Sequence, residues 1–299
     1  MNPLMDVAGL QARLADNRRT VLLDVRWALG DPHGYRHYLQ EHLPGAVFVD
    51  LDTELAAPAA PGRGRHPLPP AGEFQASARR WGINDGDVVV AYDDSGSMAA
   101  ARVWWMLRNA GFAEAYLLDG GLAAWRAAGL PVQAGSVVPE AGNVSLEEGR
   151  MPVLDAASAA TWPNAGFLLD ARAGERYRGE FEPVDPRAGH IPGAISAPTL
   201  ENVDGSGRFL PPEALRRRFE SLGIRDGVQV AVYCGSGVTA AHEVAALELA
   251  GFPAALYPGS FSEWSGNPEL PVATGPEPGR SGAGAPSGNA EAGKGSVAL

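Results

Sequence analysis

Gly223-Ile224-Arg225-Asp226-Gly227-Val228-Gln229-Val230-Ala231-Val232-Tyr233 echoes Gly82-Ile83-Asn84-Asp85-Gly86-Asp87-Val88-Val89-Val90-Ala91-Tyr92. Working outward, Leu22-Leu23-Asp24-Val25-Arg26 returns as Leu168-Leu169-Asp170-Ala171-Arg172, and His42-Leu43-Pro44-Gly45-Ala46 returns as His190-Ile191-Pro192-Gly193-Ala194. Gly111-Phe112 matches Gly251-Phe252, Gly120 matches Gly259 and Trp125 matches Trp264. The offset between partners drifts only from 148 to 139 residues, so one domain has been duplicated. In the first copy residues 21–25, 47–49, 88–92 and 115–118 are apolar or β-branched without strict alternation, the pattern of strands buried on both faces. Residues 73–81 and 99–110 carry apolar positions at helical spacing and stop at Gly82 and Gly111. This alternation predicts an α/β fold with mostly parallel sheets flanked by helices and a site at the carboxyl ends of the strands. The domains are expected at 1–132 and 153–273, joined by a linker over 133–152. Residues 274–299, rich in Gly, Pro, Ala and Ser, are expected to form a disordered tail.

Composition narrows the function. A 31.2 kDa chain with 45% hydrophobic residues can bury a substantial core. No apolar run approaches the roughly 20 residues that cross a bilayer, and the N-terminus has no basic start followed by an apolar stretch. A net charge of −11 argues against nucleic acid or an anionic membrane as the main partner. The single cysteine excludes an internal disulfide and any zinc site that takes two thiolates from this chain, and makes a reducing cytoplasm the expected compartment.

That cysteine, Cys234, sits where the strand ending at Tyr233 meets Gly235-Ser236-Gly237-Val238-Thr239 and a helical segment. Glycines in such a turn let successive N–H groups point at one centre, and the following helix adds the positive end of its dipole. In such surroundings a thiol pKa falls from about 8.5 to between roughly 3.5 and 7.5, which makes a nucleophile. Most free cysteines are simply small buried hydrophobes; the strand-to-helix turn argues for the reactive reading here. In the first copy Asp93 stands opposite Cys234 while Ser95-Gly96 stays opposite Ser236-Gly237. The first domain therefore keeps the loop without the sulfur chemistry.

These features resemble the tandem-domain rhodanese family of sulfurtransferases over residues 6–273: the duplicated Asp-x-Arg and His-x-Pro-Gly-Ala elements, the Cys-Gly-Ser-Gly-Val-Thr loop and its degenerate first copy. The resemblance implies two rhodanese domains, each with a five-stranded parallel sheet, the first catalytically inactive and the second catalytic. The loop is similar to that of the mercaptopyruvate enzymes, whereas thiosulfate enzymes typically carry a basic pair after the cysteine. It implies sulfur transfer from 3-mercaptopyruvate through a Cys234 persulfide, without metal or organic cofactor, to a thiol, thioredoxin or cyanide. Thiosulfate is the alternative small anionic donor.

By the same resemblance Arg176 binds the substrate anion, as do Gly235, Gly237, Val238 and Thr239 of the loop. A second family arginine should follow Glu182-Pro183, where this chain has Val184-Asp185-Pro186-Arg187; Arg187 is the shifted candidate, with Arg178 nearby. Ser236, His66 and Asp52 match a serine–histidine–aspartate relay able to protonate the leaving enolate. His42 and His190 recur in the copy without a thiol and are expected to be structural. His242 is read as a helix residue near the interface. A phosphatase loop would need arginine six residues after the thiol, where Ala240 stands. A non-catalytic binding module is the remaining rival.

Overall fold

The computed structural model describes residues 2–279 apart from 17 and 148. The first domain runs β1 (Leu4–Met5), α1 (Val7–Leu14), β2 (Thr20–Asp24), α2 (Gly34–Gln40), β3 (Val47–Phe48), α3 (Leu51–Glu54), α4 (Ala71–Arg80), β4 (Val88–Tyr92), α5 (Ala100–Asn109), β5 (Ala115–Leu118) and α6 (Gly121–Ala127). The second runs α7 (Ala156–Thr161), β6 (Gly166–Asp170), α8 (Gly174–Arg178), β7 (Ile195–Ser196), α9 (Pro212–Ser221), β8 (Gln229–Tyr233), α10 (Thr239–Leu249), β9 (Ala254–Leu256) and α11 (Ser260–Gly266). Both sheets are parallel, in the orders β1-β5-β4-β2-β3 and β7-β6-β8-β9.

The expectation of five strands in each domain holds for the first sheet and is corrected for the second, which has four among the described residues. In the first domain β1 is fixed by two rungs, Leu117 N–H to the Pro3 carbonyl at 2.8 Å and Asp119 N–H to that of Met5 at 2.9 Å. The residue matching Asp119 is Pro258, which has no N–H to donate. What remains is a single parallel bridge, Val153 to Leu256. The sequence reading also overlooked β1, whose two residues are too short to show a period.

The duplicated motifs are structural joints. Arg26 donates Nε and Nη2 to Asp24 at 3.0 and 2.8 Å, and Arg172 does the same to Asp170 at 3.0 and 2.6 Å. Each buried charge is neutralised by a two-point contact, the form in which an arginine is least costly to bury. His42 and His190 are buried, stacked on Tyr38 and Tyr177, with Nδ1 against the carbonyls of those same tyrosines.

Helices α5 and α10 pack on each other between the sheets, and one apolar core runs through both domains, from Val21 and Trp105 to Phe219 and Leu256. Residues 240–247 of α10 are buried all round its axis, which its alanines permit by letting neighbours approach closely. Within the segment expected to be a linker, Gly142 N–H reaches the Arg79 carbonyl at 2.8 Å and Glu147 N–H that of Ala110 at 2.9 Å, which ties it to the first domain. Of the tail, Gly275 N–H bonds the Arg178 carbonyl at 2.9 Å and the Pro278 carbonyl accepts from Gly193 at 2.5 Å; residues 280–299 lie outside the described residues.

Candidate active site

Strand β8 ends at Tyr233 and delivers Cys234 to the carboxyl edge of the second sheet, facing the first domain. The loop that follows depends on Gly237: its φ is +79°, and a Cβ there would lie 2.2 Å from the Pro258 carbonyl oxygen. Its N–H points back at the Cys234 Sγ, 3.2 Å away. Gly235 has an ordinary φ; Arg65 and Arg176 lie over it, with Nη atoms 3.0 and 3.5 Å from where a Cβ would be, so a side chain there would press on the guanidiniums. Ser260 holds the cysteine backbone, accepting the Cys234 N–H at Oγ (3.1 Å) and donating to the Tyr257 carbonyl (2.9 Å). Its φ of 54°, costly for a residue with a side chain, is paid for at this one joint.

Cys234 is 2% exposed, yet it lines a cavity of about 280 Å³ with Trp27, Arg65, Arg176, Ser236, Val238 and Thr239. The thiol is thus shut off from bulk water but open to a small ligand. The degenerate first copy shows what such a loop holds. There the Asp93 carboxylate, fully buried, accepts N–H groups from Ser95, Ser97, Ala99 and Ala100 at 2.8–3.0 Å. Burial pushes this carboxyl above its ordinary range, while the four amides pull the other way. The turn is an anion cradle that in the first domain is filled from within.

Three groups expected to act together do meet. Ser236 Oγ lies 2.7 Å from His66 Nδ1, and His66 Nε2 lies 3.3 Å from Asp52 Oδ1. With the carboxylate accepting from Nε2–H, Nδ1 is left to accept the serine hydroxyl proton. Burial holds the His66 imidazole below its ordinary value, against the pull of Asp52, so the ring is neutral near pH 7. Trp27 donates to Asp52 at 3.0 Å and meets the His66 ring edge-on at 5.4 Å.

Arg187, expected to bind the substrate anion, does not reach the cavity: it donates to the carbonyls of Trp264, Ser265, Asn267 and Leu270 at 2.7–2.9 Å. Four backbone acceptors use up its guanidinium at the end of α11, so it serves as a cap. Arg178 pairs with Glu180 at the surface. His242 is buried on Phe209, with Nδ1 2.8 Å from Thr199 Oγ1, and burial lowers its pKa to about 3.

Two arginines of the first domain escaped the sequence reading. Arg65 lines the cavity beside Arg176. Arg102, fully buried on α5, donates to the carbonyls of Gly237 (3.0 Å) and His66 (2.9 Å), and weakly to that of Leu55 (3.3 Å). It ties the cysteine loop to the relay, and burial lowers its pKa to about 10, which leaves it cationic. Arg65 stands next to His66 in the chain, the one signal that pointed to it; nothing local marked Arg102.

The rhodanese-like domain model matches residues 6–128 and 153–267. A Pseudomonas aeruginosa protein provisionally named 3-mercaptopyruvate sulfurtransferase is 48% identical over 91% of this chain and 98% of its own length. A Mycobacterium tuberculosis protein provisionally named thiosulfate sulfurtransferase SseB is 47% identical over 91% and 97%. Among solved structures, Escherichia coli SseA, described as a 3-mercaptopyruvate sulfotransferase, superposes with a TM-score of 0.78 at 30% identity, covering 88% of this chain and all of that one.

Proposed function

The chain belongs to the rhodanese family and is a sulfurtransferase, and from that premise we propose that it takes sulfur from 3-mercaptopyruvate onto Cys234 and passes it to an external acceptor. The observation that carries the choice of donor is the Ser236–His66–Asp52 relay, whose serine stands two residues after Cys234. The Cys234 thiolate forms an S–S bond with the donor sulfur as the C–S bond breaks, and the electron pair leaves on carbon as the enolate of pyruvate. That carbon must gain a proton, and the donor thiol must lose one. Neutral His66, working through the Ser236 hydroxyl, moves it between them. Thiosulfate ends as sulfite and needs no such transfer.

The persulfide left on Cys234 is held by the Gly237 N–H and the amino end of α10, as the Asp93 carboxylate is held in the first copy. With one cysteine in the chain the persulfide cannot be resolved internally, so a thiol, thioredoxin or cyanide removes the terminal sulfur and the kinetics are ping-pong. A lone catalytic thiol is best kept in the cytoplasm. Thiosulfate is the second reading: two guanidinium groups lie over Gly235, and the M. tuberculosis relative bears that name.

Pyruvate release from 3-mercaptopyruvate and sulfite release from thiosulfate, each with cyanide as acceptor, separate the readings. Cys234→Ser should abolish both. Ser236→Ala should slow the first by roughly 10²–10⁴-fold, the usual worth of positioned acid–base groups, and the second by less than about threefold. A wild type that prefers thiosulfate, or a serine variant that slows both equally, overturns the choice of donor.

A further inference from the structure

Helix α5 carries a buried cation with no carboxylate to balance it. Arg102 is fully buried, and its guanidinium donates to carbonyls alone: Gly237 at 3.0 Å from Nη1, and His66 at 2.9 Å and Leu55 at 3.3 Å from Nη2. Carbonyls satisfy the N–H groups but leave the charge, and among the described residues no acid pairs with it. Arg102 stands in the first turn of α5, and Gly237 lies two residues before α10 begins, so the cation sits beside the positive ends of two helix dipoles. An unpaired ion in such a place is strongly unfavourable. The other charged groups around the cysteine loop already have partners. Arg65 and Arg176 hold Asp185, Arg176 also holds Glu182, Asp52 faces the neutral His66 on Ser236, Asp93 takes the amides of the first-domain loop, and Glu243 of α10 pairs with Arg218. Gly237 joins Arg102 to the remaining group: its carbonyl accepts from the guanidinium, and its N–H points at the Cys234 Sγ, 3.2 Å away. Burial draws Arg102 away from its protonated form, and the charge that acts the other way is that of Cys234.

We propose that Arg102 is the counter-cation of the sulfur anion at Cys234, thiolate before transfer and persulfide after it, so that the first domain supplies the fixed charge on which the second domain's nucleophile depends. Arg102 is a positioning residue: it lines no part of the cavity and acts through its field and through the loop it holds. The cavity guanidiniums differ from it in being balanced by acids, which leaves the buried one as the charge that the sulfur completes. The proposal rests on Cys234 as the nucleophile and is independent of which donor supplies the sulfur.

Cys234 is the single cysteine of the chain, so loss of free thiol to iodoacetamide, an uncharged reagent, reports this sulfur alone. Arg102→Met should lower the alkylation rate at pH 7 about tenfold and restore it to within about twofold of wild type at pH 10, where a thiol ionises unaided. A loop that had only lost its shape would be slow at both. Arg102→Gln, which keeps N–H donors for the carbonyls and loses the charge, should show the same pattern and serves if the methionine variant folds poorly. Arg102→Lys, which keeps the charge and loses the fork, should stay within about threefold of wild type at pH 7. An unchanged rate at pH 7 in the neutral variants, an equal fall at both pH values, or a lysine variant as slow as the neutral ones overturns the assignment. Turnover that survives Cys234→Ser would instead overturn the nucleophile, and is read separately.

Discussion

At the residue scale the proposed reaction turns on a histidine that burial disposes to be neutral. The His66 side chain is only 12% exposed, and burial outweighs the attraction of Asp52 for its proton. Its proton affinity in the fold lies below that of free imidazole, so protonation, which removes the acceptor for the Ser236 hydroxyl, has its midpoint below about pH 6.5. With 3-mercaptopyruvate, kcat/KM should therefore carry an acid limb with a midpoint below that value. His66→Gln should abolish the limb along with most of the rate, and turnover of thiosulfate should lack it. A common acid limb for both donors in the wild type would show that the relay does not move the proton. The same depression has a stability sign: as pH falls through about 6.5 the unfolded chain takes up a proton that folded His66 resists, so folding loses free energy on the acid side.

At the scale of the element, the strand-to-helix loop is an anion cradle used twice. In the second domain the Gly237 N–H faces the Cys234 Sγ; in the first the loop is closed by Asp93, which satisfies four N–H groups, three of them buried. Removing that carboxylate orphans all four, and each unsatisfied buried group costs about 1–3 kcal/mol before water relaxes into the space. Asp93→Ala should lower stability by on the order of 3 kcal/mol or more, a fall of roughly 6–12 °C in Tm for a chain of this size, with part of the loss recovered in sulfate. Thermal unfolding with and without sulfate checks it. An unchanged Tm would mean that the bonds contribute nothing net. The loop also explains why two glycines that look alike in sequence differ in cause. Gly237 is required by a positive φ and the Pro258 carbonyl, whereas Gly235 makes room for the arginines above it.

At the scale of the whole molecule, the first domain is half of the site. It contributes Asp52, Arg65, His66 and Arg102, and its α5 packs on α10 within a core that belongs to neither half alone. A continuous core couples the unfolding of the parts it joins. Urea unfolding followed by tryptophan fluorescence and by far-ultraviolet circular dichroism should therefore give one coincident transition, and calorimetry a single peak. Two resolved transitions would show that the domains are independent and that the interface contributes little.

The duplication, the parallel sheets and the placing of the cysteine in a strand-to-helix loop were all legible in the order of residues, because each is written in a local pattern: a repeated motif, a β-branched run, a cysteine between a strand and a turn. Even Ser236, His66 and Asp52 were within reach, through a resemblance in short motifs. What the chain order did not hold was the partnership of side chains distant along it. Arg187, placed for the anion by its sequence neighbours, was claimed by four carbonyls some 80 residues away, and Arg65, 120 residues before Asp185, was brought to the cavity. The missing fifth strand turned on one proline opposite one aspartate in the other copy. A guanidinium goes to whichever acceptors the packed domains leave within its reach, and only the tertiary structure decides which those are.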